Sequence, residues 1–371
     1  MAIVSVCYLS ESIYYKHKNR NEFNDVFHKI MPKPLFLLTV DTEEEWDWNG
    51  AFPQPPFSTE NIKAVPELQA FCAAQGVMPT YFIDYAVIDE EENVAIFKTY
   101  LEKGELDFGA HLHPWTTPPV REEICNHHSH AINLDISLFG EKMHNLTRVL
   151  QEKLGKHPFS FRSGRWGLSG KMLKVLSDLG YRVDSSVRPF YDDLPHFSYQ
   201  QAMTHPYWPS YDDLLLEGGQ RDILEIPASS GFNFANFEQL NRLHGTLSQP
   251  PLNKLRAIGI LWKLGLMRKV TVTPENTDAS DVKRCIDMAV KRGDVIINLF
   301  FHSSNLVPGN TDYVQSEKDL KTFYGNLAQI IDHARQRHGA DFVSMRQAYE
   351  RLTGDGLTGN QSHENYWDLT A

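Results

Sequence analysis

Cysteine is scarce: Cys7, Cys72, Cys125 and Cys285 are the whole complement, and none forms a C-x-x-C pair. That spacing excludes a zinc ribbon or dithiol redox motif and reads as reduced, mostly buried thiols. No stretch approaches the roughly 20 apolar residues that a membrane-spanning helix requires. Long basic runs are also missing, and a formal net charge of −11 argues against a partner bound mainly through phosphates, nucleic acid above all. The short apolar run from Ala2 to Leu9 lacks the positive flank of a secretory signal, so a soluble, cytoplasmic protein is expected.

What is present is a chain of 371 residues, 42% hydrophobic and 22% charged, enough to bury one large α/β domain or two ordinary ones. From Leu35 onward, short apolar strands alternate with helix-period segments, as in a parallel sheet wrapped by helices. The pattern predicts a distorted parallel (β/α)7-8 barrel over residues 34–350, after an N-terminal extension at 1–33 and before a polar tail at 351–371. Between about 204 and 276 the rhythm fails in Pro-, Trp- and Tyr-rich sequence, which reads as an insertion over the barrel mouth.

Unusual polar groups fall where the predicted strands end, and a parallel barrel builds its site at the C-terminal ends of its strands. In His111-Leu112-His113 the two imidazoles sit two apart on a strand, about 6.5 Å along it, and point to one face. They can converge on a metal ion, although an isolated H-x-H can equally be a pair of surface or core histidines. Asp41-Thr42-Glu43 repeats that geometry, and a carboxylate beside two histidines is an open ligand set for a catalytic divalent ion. Such an ion lowers the pKa of bound water towards neutrality, leaving the protein to supply a base and an acid. Asp41 is the candidate base, held by Arg162 or Arg165, and His302, after the apolar strand Ile296 to Phe301, is the candidate acid. Asp184 either buttresses an arginine or caps the next turn.

In this order LLTVDTEEEWDW, FGAHLHPW, FRSGRWG, GYRVDSSV and NLFFHSS resemble the motifs of the polysaccharide deacetylases, the NodB-homology group also called carbohydrate esterase family four. The resemblance runs from about Leu35 to Tyr349. It implies hydrolysis of an acetamide on an amino sugar, with metal-bound water as nucleophile, Asp41 as base, His302 as acid, and Arg162 and Arg165 orienting the base. It also implies a metal triad of Glu43, His111 and His113, with zinc the first choice of ion and cobalt, nickel, manganese and iron compatible. Three departures mark a divergent subgroup: Thr42 follows Asp41 where a second aspartate is usual, the histidines lie two apart rather than four, and the third motif lacks its proline.

His127, His128 and His130 form a second group in an expected loop, a source of a substitute ligand. Trp46, Trp115 and Trp166, with Trp48, lie beside the motifs, where flat aromatic faces suit sugar rings or simply fill a core. The expected substrate is a carbohydrate or glycan precursor. The competing readings are another metal-dependent barrel amidohydrolase or phosphoesterase, and a non-catalytic glycan-binding relative.

Overall fold

The computed structural model describes residues 33–48 and 50–354. The expected extension at 1–33, apart from Lys33, and most of the expected tail therefore lie outside the described residues. Eight strands build the main sheet: β1 (Leu35–Thr42), β2 (Thr80–Ile83), β3 (Asp107–Leu112), β4 (Ser160–Ser163), β5 (Val183–Asp184), β6 (Leu224–Glu225), β7 (Ile296–His302) and β8 (Asp341–Phe342). Their order is β7-β1-β2-β3-β4-β5-β6 and every neighbour is parallel. β8 pairs with the start of β1, on residues Leu35 and Phe36, while β2 pairs from Thr39 onward.

The sheet curls until the chain just beyond β6 meets β7. There Ser229 N donates to the Asn298 carbonyl at 3.0 Å, and the Asn298 side chain donates to the Pro227 carbonyl at 3.2 Å. Because few backbone bonds cross this seam, the barrel is distorted, as the sequence rhythm predicts. Helices such as Val65–Gln75, Ile136–Leu154, Ala279–Arg292 and Glu317–His338 pack around it.

Why the barrel carries chemistry at one end follows from the two-residue alternation of its strands. In β1, Phe36, Leu38 and Val40 belong to the large core shared with the helices, whereas Leu35 and Leu37 belong to a separate interior cluster. Thr39 and Asp41 continue that interior row, so the inner face turns from apolar to polar towards the C-terminal ends. β7 does the same, with Ile296 in the interior cluster and Asn298 and His302 following on that face. The apolar end is closed by the helix Met345–Thr353, whose Met345, Ala348, Tyr349 and Leu352 join the same cluster. Its first turn is tied to strand starts: Met345 N donates to Thr80 Oγ1 at 3.0 Å and Arg346 N to Asp107 Oδ2 at 3.0 Å.

In the stretch read as an insertion, Ser230–Phe232 pairs antiparallel with Lys269–Thr271, and the helices Phe237–Ser248 and Ala257–Lys263 lie between them. Cys72 and Cys285 are free and buried, and Cys125 is free and partly buried. Among the described residues no helix is long and apolar enough to cross a membrane.

Candidate metal centre

Strand register assembles the site. Asp41 lies opposite His302 across β1 and β7, and His111 lies opposite Arg162 across β3 and β4. Glu43, one residue beyond β1, places Oε2 3.6 Å from His111 Nε2 and 3.3 Å from His113 Nε2. All three residues are buried. Among the described residues Glu43 Oε1 and both ring nitrogens of His111 have no hydrogen-bond partner. Leaving such groups buried and unpaired is costly, so a fixed cluster of them calls for a ligand.

A carboxylate oxygen and two imidazole nitrogens, all within 4.8 Å of one another, fit a small divalent cation with nitrogen and oxygen bonds of about 2.0–2.2 Å. The donor set passes this test. Burial lowers the pKa of His111 and keeps its imidazole neutral, as a ligand must be. Burial opposes charge on Glu43, but His302, His111 and His113 overcome it and hold the carboxyl well below its usual range.

Glu44 acts on the far side of His113. Its Oε2 lies 2.9 Å from His113 Nδ1, while Trp115 Nε1 donates to its Oε1 at 2.6 Å. This fixes the ring and turns Nε2 towards Glu43, the usual support of a metal-binding histidine. Burial disfavours charge on His113, but Glu44 and Glu43 prevail and raise its pKa well above normal. Asp84 stands behind Glu44, its pKa raised by burial and by the Glu44 charge. Glu44 and Asp84, which also lie near His113, are thus already engaged in hydrogen bonds, and Glu43 is the carboxylate left open.

Two further residues escaped the sequence reading. Asn61 donates to the Glu43 carbonyl at 3.0 Å and to Ser303 Oγ at 2.9 Å, and Ser303 Oγ accepts from Glu43 N at 3.1 Å. Gly164 lets the chain pass over His113: a Cβ there would meet His113 Cδ2 at 2.1 Å and the Leu112 carbonyl at 2.6 Å.

Beside this cluster, Arg162 is wholly buried and spends its fork on the interior row. Nη1 donates to Asp41 Oδ1 at 2.6 Å, Nη2 to Thr39 Oγ1 and Ser185 Oγ at 3.0 Å each, and Nε to the Ser185 carbonyl at 3.0 Å. Asp41 Oδ2 remains facing His302 Nε2 at 3.9 Å. On the other ring nitrogen, His302 Nδ1 lies 2.9 Å from Glu275 Oε1, which also accepts from His302 N at 2.7 Å and Asn305 Nδ2 at 2.7 Å. Burial disfavours charge on His302, yet Glu275, Glu43 and Asp41 push its pKa up to about 10. Glu275 comes from the stretch where strand and helix patterns fail. A lone acid between Pro274 and Asn276 gave no signal of this role.

Not every expected residue arrives. Arg165, beyond the end of β4, binds Asn126 Oδ1 at 2.9 Å and Ser129 Oγ at 2.8 Å and faces Asp193 at 3.6 Å, so Arg162 alone holds Asp41. Asp184 falls on the opposite parity from Val183, which lies in the interior cluster. It faces outward beside its register partner Glu225 and accepts from Ser186 Oγ at 2.6 Å; Ser185, not Asp184, meets Arg162.

Trp115 is buried and stacks on His113 with ring centroids 4.2 Å apart, and Trp166 is buried against Phe300 at 4.7 Å. Trp46 packs between Phe52 and Trp115. It is Trp48 that stands at His302, with centroids 4.9 Å apart. The second histidine group stays away from the centre: His130 stacks on His196 at 3.9 Å and lies 3.5 Å from Asp193, while His128 bonds the Glu123 carbonyl at 3.0 Å.

No protein-family model matches the sequence. No curated protein matches it either. Among solved structures, the chain is similar to a candidate polysaccharide deacetylase from Mycobacterium smegmatis, at 14% identity over 82% of each chain with a TM-score of 0.46. It is similar to the Xyl-CE4 domain of a multidomain xylanase from the hindgut metagenome of Trinervitermes trinervoides, at 11% identity over 90% of this chain and 97% of that one, with a TM-score of 0.39. A Puue allantoinase is similar at 13% identity, over 86% of this chain and 90% of that one, with a TM-score of 0.47. The first two bear the name of the group that the sequence motifs resemble. Likenesses this distant do not identify a reaction, and the functional reading stands on the site itself.

Proposed function

We propose that the protein is a metal-dependent hydrolase that removes an acetyl group from an N-acetylated amino sugar or glycan precursor. The carrying observation is the convergence of Glu43, His111 and His113, with three of their polar atoms buried and unpartnered, beside Asp41 and His302. Glu43, His111 and His113 would hold the ion, with zinc the first choice. A divalent ion there supplies a Lewis acid and lowers the pKa of water to near neutrality.

The chain's own residues do the rest. Asp41, fixed through Oδ1 by Arg162, presents Oδ2 as the base that takes the proton from the attacking water. His302 carries its proton at neutral pH, is aimed by Glu275, and donates to the sugar nitrogen as the C–N bond breaks. The acetyl group leaves as acetate and the sugar as the free amine. Trp48, packed against His302, offers an aromatic face for the sugar ring. A cytoplasmic location, as read from the sequence, belongs to the same proposal and makes a glycan precursor the natural substrate.

The test is a substrate panel on protein loaded in turn with zinc, cobalt, nickel, manganese and iron. Acetate release from N-acetyl sugars, with cyclic amides and phosphate monoesters left intact, is the expected result. Turnover of those alternatives with no acetate from any N-acetyl sugar would overturn the assignment.

A further inference from the structure

We propose that Arg188 forms an anion-binding subsite beside the candidate metal centre, taking a phosphate or carboxylate carried by the sugar substrate. This rests on the reading of the centre as a carbohydrate site. Arg162 and Arg188 both lie near the barrel mouth, and they are used in opposite ways. Arg162 spends its donors on Asp41, Thr39 and Ser185. Among the described residues Arg188 makes a single hydrogen bond, Nη2 to the neutral Thr271 Oγ1 at 2.9 Å, its Nε is buried without a partner, and it forms no ion pair.

Its position is set by aromatic faces. The guanidinium carbon lies 4.4 Å from the Tyr191 ring centroid, 5.5 Å from Phe300 and 5.6 Å from Trp166. Rings hold a guanidinium flat and leave its N–H edge free for an oxyanion. Phe300 precedes His302 by two residues on β7, so both rings lie on the face that carries the site.

The carboxylates that sense Arg188 are committed elsewhere, Asp41 to Arg162 and Glu275 to His302 and Asn305. Burial lowers the pKa of Arg188, yet a guanidinium remains charged. An unpaired, largely buried cation is costly, and an incoming oxyanion would remove that cost. Lys269 adds a second positive charge on this side, its Nζ donating to the Phe190 carbonyl. Tyr191, which packs on Arg188, and Lys269 also line a cleft of about 1070 Å³ together with Gln200, Asn241 and His244. Asn241 Oδ1 is buried there without a partner.

The experiment is calorimetric titration of the metal-loaded full chain with neutral N-acetylglucosamine, with N-acetylglucosamine 1-phosphate and with N-acetylmuramic acid. The wild type should bind at least one of the two anionic sugars about ten-fold or more tightly than the neutral one, as a charge-assisted pair with a guanidinium warrants. Which one gains tells phosphate from carboxylate. Arg188→Met should erase the gain, and Arg188→Lys, which keeps the charge but loses the fork, should keep part of it; matching circular dichroism melts show that both variants fold. Equal affinity for all three sugars in the wild type, or a gain that survives Arg188→Met, overturns the subsite. Acetate release separates the two proposals. Turnover of neutral sugars without an anion preference removes only the subsite, whereas an Arg188-dependent preference without any acetate removes only the deacetylase reading.

Discussion

Among the described residues two places set one carboxylate against two imidazoles, and they differ in how the contacts close. On the outer surface, Asp287 Oδ1 lies 2.8 Å from His333 Nε2, 2.8 Å from His338 Nε2 and 2.9 Å from Arg337 Nε. These are ordinary hydrogen bonds, and they clasp the helix Ala279–Arg292 to the helix Glu317–His338. In the barrel, Glu43 stands 3.3 and 3.6 Å from its histidines, deeply buried, with polar atoms left over. The same residue types thus make a clasp where a proton bridges the atoms and an arginine neutralises the acid. They frame a candidate cation site where, among the described residues, the contacts are longer, polar atoms are left without partners and no arginine pairs with the acid.

The sharpest way to break this contrast is to delete one histidine from each cluster. His111→Ala should abolish stoichiometric metal binding and all turnover, while His333→Ala should keep both, as read by elemental analysis and acetate release. Loss of metal from His333→Ala alone would reverse the roles given to the clusters. Next in size, His302→Gln should keep the metal and lower kcat by about 10²–10⁴, the usual contribution of a positioned acid. Full activity in that variant would remove His302 from the chemistry. Glu44→Gln weakens the support of His113 and should reduce metal affinity by about 10- to 100-fold without unfolding the protein. A metal titration in which it matched the wild type would show that Glu44 does not orient the ring.

The smallest effect belongs to the clasp. Asp287→Asn should lower stability by about 1 kcal/mol, since the cluster is partly hydrated, with no change in metal content. Burial raises the Asp287 pKa, but His333, His338 and Arg337 overcome it and leave it well below normal. A carboxyl lowered on folding contributes stability above its unfolded pKa of about 3.9 and loses it as pH falls towards the folded value. The gap in melting temperature between wild type and Asp287→Asn should therefore be flat near neutrality and shrink below about pH 4. A gap that widened in acid would contradict this sign.

The contrast also explains what could be read in the sequence. Asp41, His111, His113, Arg162 and His302 were legible because each ends a continuous buried strand, where spacing of two means a shared face. Asp184 was not, because β5 is two residues long and its apolar context does not say which face turns inward. Arg165 follows a strand end but lies past the point where strand parity holds. Glu44 stands next to Glu43 in one acidic run, and only the ring of His113, closing on it through Nδ1, shows it as a support. Glu275 and Arg188 come from segments without periodicity, where no local pattern ties a charged residue to a centre assembled by other strands.

The helix Met345–Thr353 at the far end of the barrel bears on traffic as well as on folding. With that end packed by the helix, a substrate of the proposed reaction would enter, and its products would depart, by way of the C-terminal ends of the strands. If the proposed substrate were a long polymer, it would not thread through like a cord through a bead but would present an end or lie across the strand ends. The amine left behind would stand in the path of the next molecule, which makes its departure a natural brake on turnover.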